Sequence, residues 1–236
     1  MKFIRFLAII TLLAAVPSPV QSAECVVFLH GLARTSASMK KAAAVFEESG
    51  YVVANVDYPS RSFPIEELAP LAVEAGLDGC PADSVIHFVT HSLGGILVRY
   101  YLEQNEISNL GRVLMFAPPN KGSEVVDSLR HFPGFRAING PAGNQLGTGE
   151  DSIPLMLGPV NYEVGIIAGT RTFNPILSQY LKNPDDGKIS VENTKVAGMT
   201  DFIVLPHSHP FIMKSRAAID QAVAFIETGQ FEHSTP

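Results

Sequence analysis

The chain has 236 residues and a mass of 25.4 kDa, which suits one domain, or one domain with a modest insertion. Hydrophobic residues make up 46% of it and charged residues 17%, and this composition is that of a folded protein rather than a disordered one. The formal net charge of −6 argues against a broad basic surface for nucleic acid.

Residues 1–22 have the composition of a secretory signal peptide. Lys2 and Arg5 form a short basic segment, an apolar run of eleven residues follows at 6–16, and small residues stand at the −3 and −1 positions of a cleavage site after Ser22. The run is shorter than the ~18–20 residues that span a bilayer; an uncleaved membrane anchor is the alternative. Removal of the segment leaves 15 Lys and Arg against 23 Asp and Glu, a charge of −8. We therefore expect export to the periplasm or the medium.

Beyond residue 22, short apolar runs alternate with stretches of helical periodicity. This alternation predicts parallel strands joined by crossover helices. The expected fold class is α/β, with a doubly wound, mostly parallel sheet and helices on both faces, and we expect one domain over residues 23–236. The predicted strands are 26–29, 51–56, 85–89, 112–116, 164–168 and 202–205, and the predicted helices are about 36–50, 65–76, 94–103 and 215–228.

The sharpest motif is Val89-Thr90-His91-Ser92-Leu93-Gly94-Gly95, which falls between a predicted buried strand and a predicted helix. A tight turn at such a junction projects a serine hydroxyl above the sheet and needs small residues two positions before and after the serine. Gly94 meets this requirement, whereas Thr90 stands where glycine is usual. The motif indicates Ser92 as a nucleophile, and a structural serine at a glycine-rich helix start is the alternative.

A histidine must take the proton of such a serine before the hydroxyl becomes an effective nucleophile. His207 and His209 follow the last predicted strand, where the loop that carries the base is expected. We favour His209 because it lies further into the loop, just before Pro210 and the last helix. His207 is kept as the alternative.

The acid that orients the histidine should lie between the serine and the histidine in the chain. Asp185 and Asp186 precede Gly187 in a segment that follows the strand ending near residue 168. We favour Asp186, directly before the glycine. Asp201 is a weaker candidate because it precedes the final strand and would lie at the opposite edge of the sheet. The segment can also be read as a plain turn.

The segment His30-Gly31-Leu32 directly follows the first predicted strand. The oxyanion that forms when a serine attacks an ester needs backbone N–H groups already aimed at it. The N–H groups of Leu32 and Leu93 occupy the expected positions, and an ordinary turn at residues 30–32 is the alternative.

Four segments together, VVFLHGL, VTHSLGG, DDGKI and HSHPF, resemble the α/β-hydrolase superfamily and, within it, the small bacterial lipases and esterases. The resemblance implies a Ser-His-Asp hydrolase of small-molecule or lipid esters that works through an acyl-enzyme without a metal or other cofactor. It implies Ser92, Asp186 and His209 as the triad, with Leu32 and Leu93 as oxyanion donors. Thioesterases, amidases and non-catalytic binding domains share this fold and remain alternatives. The threonine at position 90 departs from the usual pattern and leaves the subfamily open.

Residues 130–160 interrupt the alternation, being rich in glycine and proline with scattered large apolar side chains. A segment of this length without a clear pattern is usually functional or inserted. One hypothesis is a lid over the site that supplies a wall for an acyl chain and touches lipid surfaces when it opens. The other is a fixed segment whose Phe132, Leu155 and Leu157 only fill the core.

Cys25 and Cys80 are the two cysteines of the chain, and an oxidising compartment favours their pairing. Both precede predicted strands, so both should lie at the same edge of the sheet. In the usual strand order of the resembled fold these strands are neighbours, which brings the cysteines within bridging reach. We therefore expect a disulfide, with two free thiols as the alternative. Neither cysteine has a partner at metal spacing, so a zinc site is not expected.

Overall fold

The computed structural model describes residues 23–172 and 174–233, and the predicted signal peptide at 1–22 lies outside them. Its six strands form an all-parallel sheet in the order β2-β1-β3-β4-β5-β6. This confirms the predicted α/β class and parallel sheet. The strands are β1 (Glu24–Leu29), β2 (Val52–Val56), β3 (Val85–His91), β4 (Leu110–Phe116), β5 (Val164–Gly169) and β6 (Asp201–Leu205).

Helices lie between these strands, and a further helix follows the last strand. Those that correspond to predicted helices are α1 (Lys40–Glu48), α2 (Ile65–Asp78), α3 (Leu93–Gln104) and α9 (Arg216–Thr228). Shorter helices that the periodicity did not predict are α4 (Glu124–Leu129), α5 (Pro133–Asn144), α6 (Ile153–Met156), α7 (Pro175–Ser178) and α8 (Val191–Thr194). None of the helices in the described ranges is both long and apolar enough to cross a membrane.

The core has two halves, one on each face of the sheet. Successive residues of a strand point to opposite faces. In β1, Val27 packs in the half that includes α2 and α3, whereas Phe28 packs in the half that includes α1 and α9. The ring of Phe28 meets the ring of Phe46 in α1 edge to face, with centroids 5.5 Å apart. The sheet is therefore doubly wound, as predicted.

The strand order brings the sequence motifs to one edge of the sheet. β1 and β3 pair directly, and Leu29 lies opposite Thr90 at the end of the pairing. The loop after β1 therefore lies beside the turn after β3. Since all strands run in the same direction, the loops after β5 and β6 reach the same carboxyl edge, where ligands bind in such sheets.

A disulfide joins Cys25 to Cys80, with their Cα atoms 5.8 Å apart. The predicted partners are therefore correct, although Cys25 is a fully buried residue within β1 rather than a residue before it. The bond closes a loop with a sequence separation of 55 residues. In the chain-entropy model a loop of that length stabilises the folded state by about 4 kcal/mol.

Residues 130–160 contain helical structure instead of the irregular segment that the sequence pattern indicated. α5 is two short helices joined at a kink, because Gly140 has φ 66° and ψ −172°. Proline at positions 133 and 141 suits the first turn of each half, where its missing N–H leaves no hydrogen bond unmade. Pieces this short carry no readable helical periodicity.

The same segment does not serve only to fill the core. Phe132 is 61% exposed and Leu155 is 41% exposed, whereas Leu157 packs against the core. The hypothesis that all three fill the core is therefore wrong for two of them.

Candidate active site

Ser92 lies at the junction between β3 and α3, with φ 52° and ψ −117°. A positive φ is strained for any residue with a side chain, and such strain is concentrated at functional sites. A Cβ atom on Gly94 would lie 2.5 Å from the carbonyl oxygen of Leu29, so glycine is required two residues after the serine. Thr90 fits at the other position because it is fully buried and its hydroxyl donates to the carbonyl of Leu114 at 3.2 Å.

Three of the predicted side chains form a continuous hydrogen-bonded row. His209 Nε2 lies 3.0 Å from Ser92 Oγ, and His209 Nδ1 lies 2.8 Å from Asp186 Oδ2. With its proton on Nδ1, the imidazole donates to the carboxylate and accepts from the serine hydroxyl. The three residues are 8%, 5% and 0% exposed, respectively, for Ser92, His209 and Asp186. Solvent therefore competes little for these hydrogen bonds.

The turn around Asp186 holds its carboxylate in place. Oδ1 accepts the backbone N–H groups of Lys188 at 3.0 Å and Ile189 at 2.8 Å, which leaves Oδ2 for the histidine. The carbonyl of Asp186 also accepts the backbone N–H of His209 at 3.0 Å. The segment therefore forms a turn, and the backbone of that turn also orients the carboxylate of Asp186.

The alternative candidates are engaged elsewhere. Asp201 begins β6, at the edge of the sheet away from Ser92, as its position in the chain predicted. Asp201 lies 2.9 Å from His233 Nε2. Asp185 accepts a hydrogen bond from the hydroxyl of Ser178 at 2.6 Å. His207 Nε2 lies 2.7 Å from the hydroxyl of Ser215.

The backbone N–H groups of Leu32 and Leu93 are the two predicted oxyanion donors. Leu93 directly follows Ser92, and Leu32 lies in the loop after β1, beside the turn that carries Ser92. Leu93 is the first residue of α3, where an N–H has no carbonyl partner within the helix. Within the described ranges neither N–H donates to a protein acceptor. Two free donors are therefore present beside the nucleophile candidate.

The loop that carries Leu32 is held from behind by His30 and Tyr58. Their rings stack with centroids 4.0 Å apart, and the Tyr58 hydroxyl donates to the carbonyl of His30. Burial lowers the pKa of His30, so its ring is kept neutral. These contacts hold the backbone at residue 30, directly before Gly31 and Leu32.

His91 is a site residue to which the sequence motif assigned no role. Its Nε2 lies 2.9 Å from the carbonyl oxygen of His209, and the two rings have centroids 4.9 Å apart. Burial and the neighbouring His209 hold the pKa of His91 well below its usual range. The neutral ring therefore donates from Nε2 and holds the backbone of His209. In the sequence, the position of His91 directly before Ser92 is the only indication of a role, and it does not reveal the contact with His209.

A cavity of about 300 Å³ opens over Ser92 and His209. Two cationic side chains, Arg34 and Lys188, also line it. The rest of the lining is mainly apolar and comes largely from α4, α5 and nearby loops, including Val125, Val126, Leu129, Phe135, Ile138, Leu146, Leu177 and Ile189. Residues 23–172 and 174–233 include no group of three His, Cys, Asp or Glu side chains placed to hold a metal ion.

Comparison with known proteins gives structural relatives only. No family model and no curated protein sequence matches the chain. The lipase BlEst2 of Bacillus licheniformis, in its mature form, has a TM-score of 0.64 and 19% identity over 91% of this chain and 94% of that one.

Two further solved structures resemble this chain to a similar degree. The phospholipase PlaB of Legionella pneumophila has a TM-score of 0.66 and 18% identity over 86% of this chain and 57% of that one. The metagenomic carboxyl esterase MGS0156 has a TM-score of 0.67 and 16% identity over 90% of this chain and 79% of that one. At such identities the likeness shows the fold, and this chain has the α/β-hydrolase fold.

Proposed function

We propose that this protein hydrolyses carboxylic esters through an acyl-enzyme formed on Ser92. The observation that carries the proposal is the buried row from Ser92 through His209 to Asp186 at the floor of an apolar cavity. The three structural relatives named above are a lipase, a phospholipase and a carboxyl esterase, which supports the same reaction class.

In the first half of the reaction, Ser92 Oγ attacks the ester carbonyl carbon and gives its proton to His209 Nε2. Asp186 stabilises the resulting imidazolium through Nδ1. The negative charge that develops on the former carbonyl oxygen accepts hydrogen bonds from the N–H groups of Leu32 and Leu93. These donors are fixed before the reaction, so they stabilise the transition state without reorganisation.

The second half completes the turnover. The C–O bond to the alcohol breaks, and the imidazolium returns its proton to the leaving oxygen. A water molecule then gives a proton to His209 and attacks the acyl carbon. The bond between that carbon and Ser92 Oγ breaks, and His209 returns the proton to Oγ, which releases the carboxylic acid and restores Ser92.

Residues 130–160 supply the wall for the acyl chain and act as a lid in this proposal. Phe135 and Ile138 of α5 line the cavity over Ser92. Ile138 is also 61% exposed, and Met156 of α6 is 66% exposed. An apolar wall that also presents apolar surface to solvent is suited to contact with aggregated or membrane-bound lipid.

Export completes the proposal. The disulfide between Cys25 and Cys80 is of a kind that forms in oxidising compartments. It agrees with the signal-peptide composition of residues 1–22. The proposed site of action is therefore the periplasm or the medium.

A fluorophosphonate probe, which reacts with activated serines, tests the proposed nucleophile. The folded wild type should be labelled at Ser92, and Ser92→Ala should abolish labelling and lower turnover of p-nitrophenyl butyrate by about 10⁴-fold or more. Ser123→Ala is the matched control, since Ser123 lines the same cavity while its hydroxyl donates to the carbonyl of Lys188. That variant should still be labelled.

A folded wild type that stays unlabelled would indicate a binding domain without catalysis. If Ser92 is labelled, p-nitrophenyl esters of increasing acyl length, together with one matched thioester and one matched amide, identify the preferred bond and chain length.

A further inference from the structure

We infer that the substrate carries an anionic group, a phosphate or a carboxylate, on its alcohol side, and that Arg34 binds this group with Lys188 beside it. The inference rests on the proposed function and adds a substrate class to it. Two cations at the mouth of the catalytic cavity and a second, polar cavity next to it carry the argument.

Arg34 and Lys188 are unpaired cations in an acidic protein. Both line the cavity that contains Ser92 and His209, although the chain has a net charge of −6. Among the described residues neither forms an ion pair. Cationic side chains that converge on a cavity without a protein counterion are placed to bind an anionic ligand.

The two cations are close enough to affect each other. Lys188 is an exposed residue, but the surrounding protein still removes part of the water around its ammonium group. This desolvation lowers the pKa of the ammonium group, and the charge of Arg34 lowers that pKa further. Asp186 opposes this effect, but that carboxylate is already bound to His209 and to two backbone N–H groups. A ligand anion between Arg34 and Lys188 would relieve their repulsion.

A polar cavity of about 440 Å³ adjoins the loop that carries Leu32, since Ala33, Arg34 and Thr35 line it. Arg34 lines both cavities. The polar cavity is also lined by Arg61, by the hydroxyl-bearing residues Thr35, Ser60 and Ser62, and by Asp57. The carboxylate of Asp57 accepts the backbone N–H of Ser36 at 2.9 Å and lies 3.7 Å from His30 Nε2. Two guanidinium groups against one carboxylate leave this lining positive.

The two cavities match the two arms of an ester whose carbonyl lies at Ser92. Leu32 lines the apolar cavity, and its neighbour Ala33 lines the polar one. The acyl chain suits the apolar wall, so the alcohol arm is directed across residues 32–34 towards Arg34. A guanidinium group binds phosphate or carboxylate through two parallel hydrogen bonds, which suits an anionic group on that arm.

The test compares two soluble esters, 1-hexanoylglycerol and its 3-phosphate. In the wild type, kcat/KM for the phosphate should exceed that for the neutral ester by roughly tenfold or more, since a charged hydrogen bond contributes about 1.5–3 kcal/mol. Arg34→Gln should lower this ratio by roughly tenfold, and Lys188→Gln should lower it less. The hexanoyl ester of 3-hydroxypropanoate extends the comparison to a carboxylate.

Lys40→Gln is the matched control, because Lys40 is an exposed cation that lines neither cavity. This variant should keep the wild-type ratio. A second measurement does not require turnover: glycerol 3-phosphate should slow fluorophosphonate labelling of Ser92 more than glycerol does, and Arg34→Gln should remove the difference.

The outcomes separate the inference from the function on which it rests. If the neutral ester is cleaved as well as both anionic esters, or if glycerol 3-phosphate protects Ser92 no better than glycerol, the anionic substrate class is wrong while the esterase proposal stands. If Ser92 is not labelled at all, the proposed function itself fails, and the anion inference fails with it.

Discussion

Asp186 shows how much of the candidate site depends on the surroundings of one side chain. Its neighbour Asp185 is also a buried aspartate, 3% exposed. The two carboxylates differ in their partners, since Asp186 faces His209 at 2.8 Å, whereas Asp185 accepts the hydroxyl of Ser178 and the N–H of Gly187. The difference allows a test in which charge and chain position are nearly matched.

Asp186→Asn should lower kcat for p-nitrophenyl butyrate by about 10³–10⁴-fold, because an amide favours the wrong tautomer of His209 and does not stabilise the imidazolium. Steady-state kinetics of the folded variant measure this. Asp185→Asn is the control and should keep most of the activity, even if it unfolds at a lower temperature. The opposite pattern would show that Asp185 is the acid.

At the scale of elements, the kink of α5 positions the wall of the cavity. Gly140 lies against the backbone of Arg61, and a Cβ atom there would stand 2.0 Å from the carbonyl oxygen of Arg61. The positive φ of 66° at this glycine adds strain for any other residue. The cavity-lining residues Phe135 and Ile138 belong to the helical half before the kink.

Gly140→Ala should therefore displace α5 and lower kcat/KM for p-nitrophenyl laurate more than for p-nitrophenyl butyrate, since the long chain uses more of the wall. Gly134→Ala in the same helix is the control, because a Cβ atom at Gly134 meets no atom within 4 Å. The acyl-chain preference measured for the control should equal that of the wild type. An unchanged preference in Gly140→Ala would contradict the role of α5 as the acyl wall.

For the whole molecule, buried histidines couple folding to pH. Burial lowers the pKa of His30 and of His91. His87 is 3% exposed, and burial together with the charge of Arg112 lowers its pKa from 6.5 to about 4. Between these two values the unfolded chain binds a proton that the folded chain does not. The contribution of neutral, buried His87 to the free energy of unfolding is thus complete above pH 6.5 and is lost as the pH falls to about 4.

The free energy of unfolding should therefore fall between pH 7 and pH 5, with His87 alone contributing roughly 3 kcal/mol over its full titration range. Urea unfolding at several pH values measures this. His87→Gln should reduce the pH slope, even if the variant is less stable at pH 8. His131→Gln, at an exposed position, should leave the slope unchanged, and an equal slope in His87→Gln would contradict the argument.

The sequence determined the class of the fold because apolar periodicity records which faces of a strand or helix are buried. It also determined the nucleophile candidate, since the junction between β3 and α3 has a local requirement for small residues that Gly94 reveals. The motif around Ser92 predicts the nucleophile, and the positions of Asp186 before Gly187 and of His209 in the loop after the last strand favour these two residues as its partners. The structure then brought these three side chains together.

Tertiary structure alone decided the partners of the site residues and the shape of the cavities, because both depend on contacts between residues far apart in the chain. The sequence favoured Asp186 over Asp185 only by its place before Gly187, and the return of the loop after β6 brings His209 to Asp186. His91 meets the carbonyl of His209 across 118 positions, a pairing that no local pattern records. Residues 130–160 form helices too short for periodicity to show, and Arg34 joins two cavities only when the loop after β1 is folded against the sheet.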